Sequence, residues 1–148
     1  MTIYYDGQDK LTPEQKDWIE RALETVFRVE GLDQAGEVSI SFMDDEAIRQ
    51  LNLEYRQLDA TTDVLSFPQL ESLAEAKALD YLFLGDIVIN LDQVARQAGE
   101  YGHSQARELS YLTVHSLYHL LGFDHLEDDD KQQMRQKEKV IMELLEEI

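Results

Sequence analysis

The run from Ser104 to Leu121 constrains this chain more than any other segment. Leu109, Leu112, Thr113, Leu117 and Leu120 recur at helical spacing, and Gly122 ends the run. A helix with so much apolar surface around its circumference must be covered on most sides, so the run predicts a buried central helix. No apolar stretch approaches the roughly 20 residues that cross a bilayer. The N-terminus lacks a basic region followed by an apolar stretch. Both points lead to the expectation of a cytoplasmic protein with no membrane partner, whose central helix is covered by the rest of its own chain.

The covering elements follow from local pattern. Residues 3 to 5, IYY, suggest a short edge strand. Thr12, Pro13 and Glu14 open a helix continued by Trp18, Ile19, Ala22, Leu23, Val26 and Phe27 and ended by Gly31. EVSISFM, residues 37 to 43, alternates as a half-buried strand does. Asp44, Asp45 and Glu46 then start a helix with apolar positions at Ile48, Leu51 and Leu53 or Tyr55. DVLSFP, residues 63 to 68, is a short strand stopped by Pro68, and LFLGDIVIN, residues 82 to 90, is apolar enough for a central strand. Between them ESLAEAKALD suggests an exposed excursion, partly helical at best. Asn90 or Asp92 starts a helix through Val94 and Ala98 that ends near Gly99. An acidic run from Glu127 to Asp130 opens a last helix carrying Met134, Val140, Ile141, Leu144 and Leu145. A chain of 148 residues has room for one ordinary core. The expected fold is therefore α/β of the α+β kind: a single domain over residues 1–148, with a small mixed sheet of about four strands flanked by helices.

The central helix also carries the chemistry. HSLYHLLGFDH, residues 115 to 125, holds three of the chain's four histidines. His115 and His119 stand four apart, which on a helix sets both imidazoles on one face. His125 lies beyond Gly122, where the chain is able to turn back toward them. The chain has no cysteine, so a metal must be held by nitrogen and oxygen. Three neutral imidazoles suit Zn²⁺ and leave one position of a tetrahedral ion open, as catalysis requires. Imidazole also suits Ni, Cu and Fe, so one Zn²⁺ per chain is the expectation, with Ni²⁺ or another divalent ion as substitute. The spacing equals that of the extended zinc-protease signature, but Ser116 stands where that signature has its glutamate base, which disfavours a peptidase.

Charge pulls the other way from a nucleic-acid substrate. With 31 acidic and 13 basic residues the formal net charge is −18, which argues against a broad electrostatic footprint for a polyanion. It permits a local one, because salt screens charges beyond about 8 Å.

At these residues the sequence resembles the YbeY family, single-domain bacterial metal-dependent endoribonucleases of ribosomal RNA maturation and ribosome quality control. The family's C-terminal motif H-G-x-L-H-L-x-G-Y-D-H stands here as HSLYHLLGFDH, with Ser116 for the usual glycine, Tyr118 where leucine is common and Phe123 for the tyrosine. Two upstream blocks agree as well, LNLEYRQLDATTDVLSFP at residues 51 to 68 and LGDIVIN at 84 to 90. The resemblance implies a small mixed sheet flanked by helices, zinc ligation by His115, His119 and His125, and an activity-linked Arg56 that faces the substrate. It further implies a single-strand-specific endoribonuclease acting in 16S rRNA 3′-end maturation, with ribosomal RNA and the ribosome as partners, and ribosomal proteins or assembly GTPases beside them. A guanidinium opposite the metal suits bidentate grip of a phosphate; the competing role for Arg56 is an ion pair with Asp59, Asp63 or Asp86.

Asp63 or Asp86 is placed to orient Arg56 or a ligand histidine, or simply to cap a strand end, and Asp124 to orient an imidazole or form a turn. His103 is expected at the surface rather than as a fourth ligand. Two other functions remain open on these residues: a ribosome-associated assembly factor with a structural zinc, and a metal-dependent hydrolase of a non-RNA substrate. The trio itself generates a first prediction. His115→Ala loses tight zinc binding and RNA cleavage together, checked by metal analysis and a cleavage assay; a metal-free variant that still cleaves contradicts it.

Overall fold

The computed structural model describes residues 1–124 and 127–146. Its elements run β1 (Thr2–Asp6), α1 (Pro13–Glu30), β2 (Ala35–Met43), α2 (Asp45–Arg56), β3 (Val64–Pro68), α3 (Leu73–Ala78), β4 (Tyr81–Asn90), α4 (Leu91–Tyr101), α5 (Gln105–Leu120) and α6 (Asp128–Glu146), with a short 3₁₀ turn at Gln8–Lys10. One mixed sheet of four strands, in the order β1-β2-β4-β3, forms the platform. β1 with β2 and β2 with β4 pair in parallel, and β3 closes the sheet antiparallel to β4. This is the α/β architecture that the sequence pattern predicts.

The two sheet faces explain the apolar run of β4. Leu82, Leu84, Ile87 and Ile89 join α1, α5 and α6 in the main core. Val88 packs on the opposite face with Ile48 of α2 and Leu65 of β3. Only the C-terminal end of β4 is buried on both sides; on its outer face Tyr81 and Phe83 are exposed. The pairing of β2 with β4 shifts register between Glu37 and Val38, opposite Gly85, whose φ of 123° only glycine adopts readily.

α5 lies in the middle of the helical layer, touching α1, α4, α6, β3 and β4. Its residues from Ala106 to Leu120 are buried except Arg107, Tyr111, His115 and His119. These four stand four apart, so the central helix is covered on every side but one stripe, and the stripe carries both of its histidines.

Several local expectations differ from the structure. Leu53 and Tyr55 of α2 are exposed, and the buried positions of that helix are Ile48 and Asn52, whose amide donates to the Ala60 carbonyl at 2.8 Å. α4 runs through Gly99 and ends instead at Gly102, which takes the left-handed cap conformation. The expected excursion contains α3, capped by Ser72 and anchored by buried Leu70 and Ala76. In α6, Val140 is exposed, while Met134, Glu138, Ile141, Met142 and Leu145 face inward. No helix among the described residues is long and apolar enough to cross a membrane.

Polar bonds tie α2 to α4. Arg96 grips Asp45 through two hydrogen bonds of 2.8 and 2.7 Å, and Asn90 donates to the same carboxylate at 2.7 Å. The Arg96 bonds first, and the Asn90 amide next, hold the Asp45 carboxyl well below the usual carboxylate range. A depressed carboxyl contributes stability that is fully present above its unfolded value of about 3.9 and is lost as pH falls toward the folded value. Urea unfolding between pH 5 and pH 2.5 therefore shows the wild type losing stability more steeply than Asp45→Asn, the two converging in acid; parallel profiles contradict this.

Candidate metal centre

The last two turns of α5 hold His115 and His119 with their ring centroids 4.6 Å apart and their planes nearly perpendicular, at 84°. Their Nε2 atoms face each other across 3.2 Å. What aims them is the other nitrogen of each ring. His119 Nδ1 lies 3.0 Å from the carbonyl oxygen of Phe123. A carbonyl only accepts, so this Nδ1 carries the hydrogen and Nε2 the lone pair. His115 Nδ1 lies 2.7 Å from Glu138 Oε2 on α6. The other oxygen of Glu138 accepts from the Tyr111 hydroxyl at 2.9 Å. Burial, and after it the neighbouring Glu138, pushes the Tyr111 hydroxyl above its ordinary range, so it stays a donor. Glu138 thus accepts on both oxygens, and His115 also presents an Nε2 lone pair.

Phe123 is fixed in turn. Its N–H donates to the Tyr118 carbonyl at 3.0 Å, its ring meets the Tyr118 ring edge-on, and the Lys137 ammonium sits 5.2 Å above its face. Lys137 and the Tyr118 hydroxyl both reach the buried Glu30, at 3.0 Å each. Burial and Glu30 push the Tyr118 hydroxyl upward as well. Gly122, with φ of 94°, lets the chain leave α5 against the loop before α3; a Cβ there would stand 2.5 Å from the Glu71 carbonyl oxygen.

His115 and His119 open into a cleft of about 580 Å³ whose lining includes Arg56, Asp63, Ser66 and Asp124. Arg56 ends α2, where Gln57 takes a left-handed conformation, and its side chain is exposed. Asp59, a candidate partner for it, is bound by Arg49 at 2.7 and 3.2 Å instead. Among the described residues Arg56 makes no ion pair, and it is the only lysine or arginine lining this cleft.

The sequence candidates are thus distributed unevenly. His115, His119, Arg56, Asp63 and Asp124 share the cleft, and His125 lies outside the described residues. Among the described residues, neither Asp63 nor Asp86 bonds to Arg56 or to the two histidines. The Asp63 carboxylate accepts from the Thr62 hydroxyl at 3.5 Å, and Asp86 lines a separate hollow on the outer sheet face beside Glu37. His103 stands away from the cleft and so is not placed as a fourth ligand; its ring is partly exposed, at 17%, with Nε2 2.7 Å from Glu108 and Nδ1 2.8 Å from Arg107. Glu138 is the site residue that sequence reasoning misses. Its signal is its phase, in the stripe Met134, Glu138, Ile141, Leu145 of an amphipathic helix, where a carboxylate is out of place.

The donor set fits a divalent ion. Two nitrogens bound to one tetrahedral Zn²⁺ at about 2.0–2.1 Å stand about 3.3 Å apart, and the two Nε2 atoms are 3.2 Å apart with their lone pairs turned inward. Each outer N–H is held by a carboxylate or a backbone carbonyl, the arrangement that orients metal-ligating histidines.

A family model described as "Endoribonuclease YbeY" matches residues 3–146. Among the curated relatives, the endoribonuclease YbeY of Pelotomaculum thermopropionicum is 48% identical over 122 residues, 82% of this chain and 80% of its own. That of Clostridium botulinum strain Eklund 17B is 40% identical over 163 residues, 97% of this chain and 98% of its own. The solution structure of TM1509 from Thermotoga maritima is similar at 28% identity with a TM-score of 0.67, covering 97% of this chain and 89% of that one.

The turn at Gly122 carries a prediction. Gly122→Ala forces both a left-handed alanine and a clash with backbone, and lowers stability by about 2–4 kcal/mol in urea unfolding. A variant as stable as the wild type contradicts the described turn.

Proposed function

The chain belongs to the endoribonuclease YbeY family, and from that premise we propose that it hydrolyses phosphodiester bonds of single-stranded RNA at a metal site formed by His115, His119 and His125. One observation carries the reading: the paired Nε2 atoms open into the same cleft as an arginine that no carboxylate of the described residues neutralises. Zn²⁺ is the ion the donor set favours, one per chain. Bound there, it would supply Lewis acidity toward a phosphoryl oxygen or a water molecule.

The remaining work falls to the chain's own side chains. His115 and His119 would hold the ion through Nε2, their rings fixed through Nδ1. Arg56, at the end of a rigid helix, grips the scissile phosphate through its fork of N–H donors and stabilises the charge that builds on it. Much of the remaining wall is apolar, with Val64, Leu65, Phe67 and Leu70, and it carries the carboxylates Asp63, Glu71 and Asp124, so a phosphate is favoured only where Arg56 and the ion would stand. This reconciles an RNA substrate with a net charge of −18. The nucleophile is either water or the 2′-hydroxyl of the RNA; it gives up a proton as it bonds to phosphorus while the departing oxygen gains one, and the carboxylates lining the cleft are Asp63, Glu71 and Asp124.

In this reading the substrate is ribosomal RNA, the process is 16S rRNA 3′-end maturation and ribosome quality control, and the partners are the ribosome, its proteins or assembly GTPases, in the cytoplasm. The support for these finer points is the shared motif blocks around Arg56, Asp86 and the histidines.

The test combines metal content with cleavage of an end-labelled single-stranded RNA. Chelation abolishes cleavage by the wild type and added Zn²⁺ restores it. Arg56→Ala retains its zinc and loses at least about 100-fold in cleavage rate, the scale of removing a donor to developing charge. Cleavage that survives chelation, or an Arg56→Ala enzyme of full activity, contradicts the proposal.

A further inference from the structure

We propose that Glu138 is the positioning residue of the metal centre: it fixes the tautomer of His115 and supplies the negative charge that makes this imidazole the stronger of the two described ligands. The inference rests on the metal-site reading above and extends it to a residue outside the histidine motif.

The argument comes from a comparison of the buried acids around α5. Glu30, Glu108 and Glu138 are all nearly inaccessible, with 6%, 2% and 4% of their surface exposed. A buried carboxylate is costly unless a cation and hydrogen bonds compensate it. Glu30 has the Lys137 ammonium at 3.0 Å. Glu108 is bound by His103, whose other nitrogen is held by Arg107, and by the Gln97 amide at 2.7 Å. Glu138 has no lysine or arginine partner among the described residues; its two bonds come from the neutral Tyr111 hydroxyl and from the His115 ring. The positive charge that complements it is therefore reached through His115, on the far side of the ring, where the Nε2 atoms converge.

Packing gives the same answer. Glu138 occupies the inward stripe of α6 between Met134 and Ile141, a place that an apolar side chain fills at lower desolvation cost. Its partner lies 23 residues away on another helix, so the contact is tertiary and not a by-product of helical spacing. His119 is held by a neutral backbone carbonyl. A carboxylate draws the Nδ1 proton more strongly than a carbonyl does, which raises the donor strength of the opposite nitrogen in His115.

The test reads the ring directly. Two-bond proton–nitrogen NMR correlations of metal-free wild type at alkaline pH are expected to show His115 with its hydrogen on Nδ1. Competition with a chromophoric chelator is expected to give Zn²⁺ binding about 10–100-fold weaker in Glu138→Leu, the scale of losing an outer partner of a ligand. Glu138→Gln, whose amide oxygen still accepts from Nδ1, keeps the tautomer and recovers part of the affinity. His115 with its hydrogen on Nε2 in the wild type overturns the proposal, as does a folded Glu138→Leu that binds zinc like the wild type. Should Glu138→Leu not fold, the wild-type tautomer and the affinity of Glu138→Gln decide. A wild type that binds no zinc while His115 keeps its hydrogen on Nδ1 overturns the metal reading but leaves the positioning of the ring by Glu138 standing.

Discussion

The structure depends on one helix that is covered on every side except a single stripe. Burying α5 between the sheet and its neighbouring helices is what the hydrophobic effect demands of Leu109, Leu112, Leu117 and Leu120. The open stripe of Arg107, Tyr111, His115 and His119 is where that demand stops. Because the backbone of α5 is locked by packing, the two imidazoles need only their χ angles fixed. One bond from α6 and one from the turn after Gly122 do so. The site inherits its rigidity from the core, as a metal-binding constellation requires.

Charge is arranged around that site with the same economy. A chain of net charge −18 does not attract RNA over its surface. Several of its basic residues are committed elsewhere: Arg49 to Asp59, Arg96 to Asp45, Lys137 to Glu30, Arg107 to Glu146. Arg56, without such a partner among the described residues, stands in the cleft that holds the histidines. In the proposed reading, specific binding reduces to a point contact with one phosphate, and the acidic remainder of the surface suppresses non-specific binding to other polyanions.

Much of this was legible in the sequence where local pattern and tertiary outcome agree. The apolar circumference of the Ser104–Leu121 run, the nearly continuous hydrophobicity of residues 82 to 90, and the capping signal at Thr12 each specify a local structure that the fold keeps. The i, i+4 spacing of His115 and His119 places them together for the same reason. What was illegible is tertiary. That Asp59 would take Arg49 and leave Arg56 alone depends on how the loop after α2 folds back, which spacing does not encode. Leu53 and Tyr55 look like core positions but lie on the outer side of α2, because Asn52 takes the inward position and bonds to Ala60. Glu138 was visible only as a charge in an apolar phase, and its meaning emerged once α6 was seen against α5. His103 stands apart from the cleft as expected, but its pairing was illegible because Glu108 and Arg107 look like ordinary surface charges in a helix. The parallel order β1-β2-β4, with β3 added antiparallel, likewise has no signature in any single strand.

Zinc-edge X-ray absorption on the purified, zinc-loaded protein tests the central claim most directly. The account predicts a shell of nitrogen and oxygen scatterers at about 2.0–2.1 Å, with the outer-shell pattern of three imidazoles and one oxygen that exchanges for an added anion. A shell closed by four protein ligands, or fewer than two imidazoles around the ion, contradicts it.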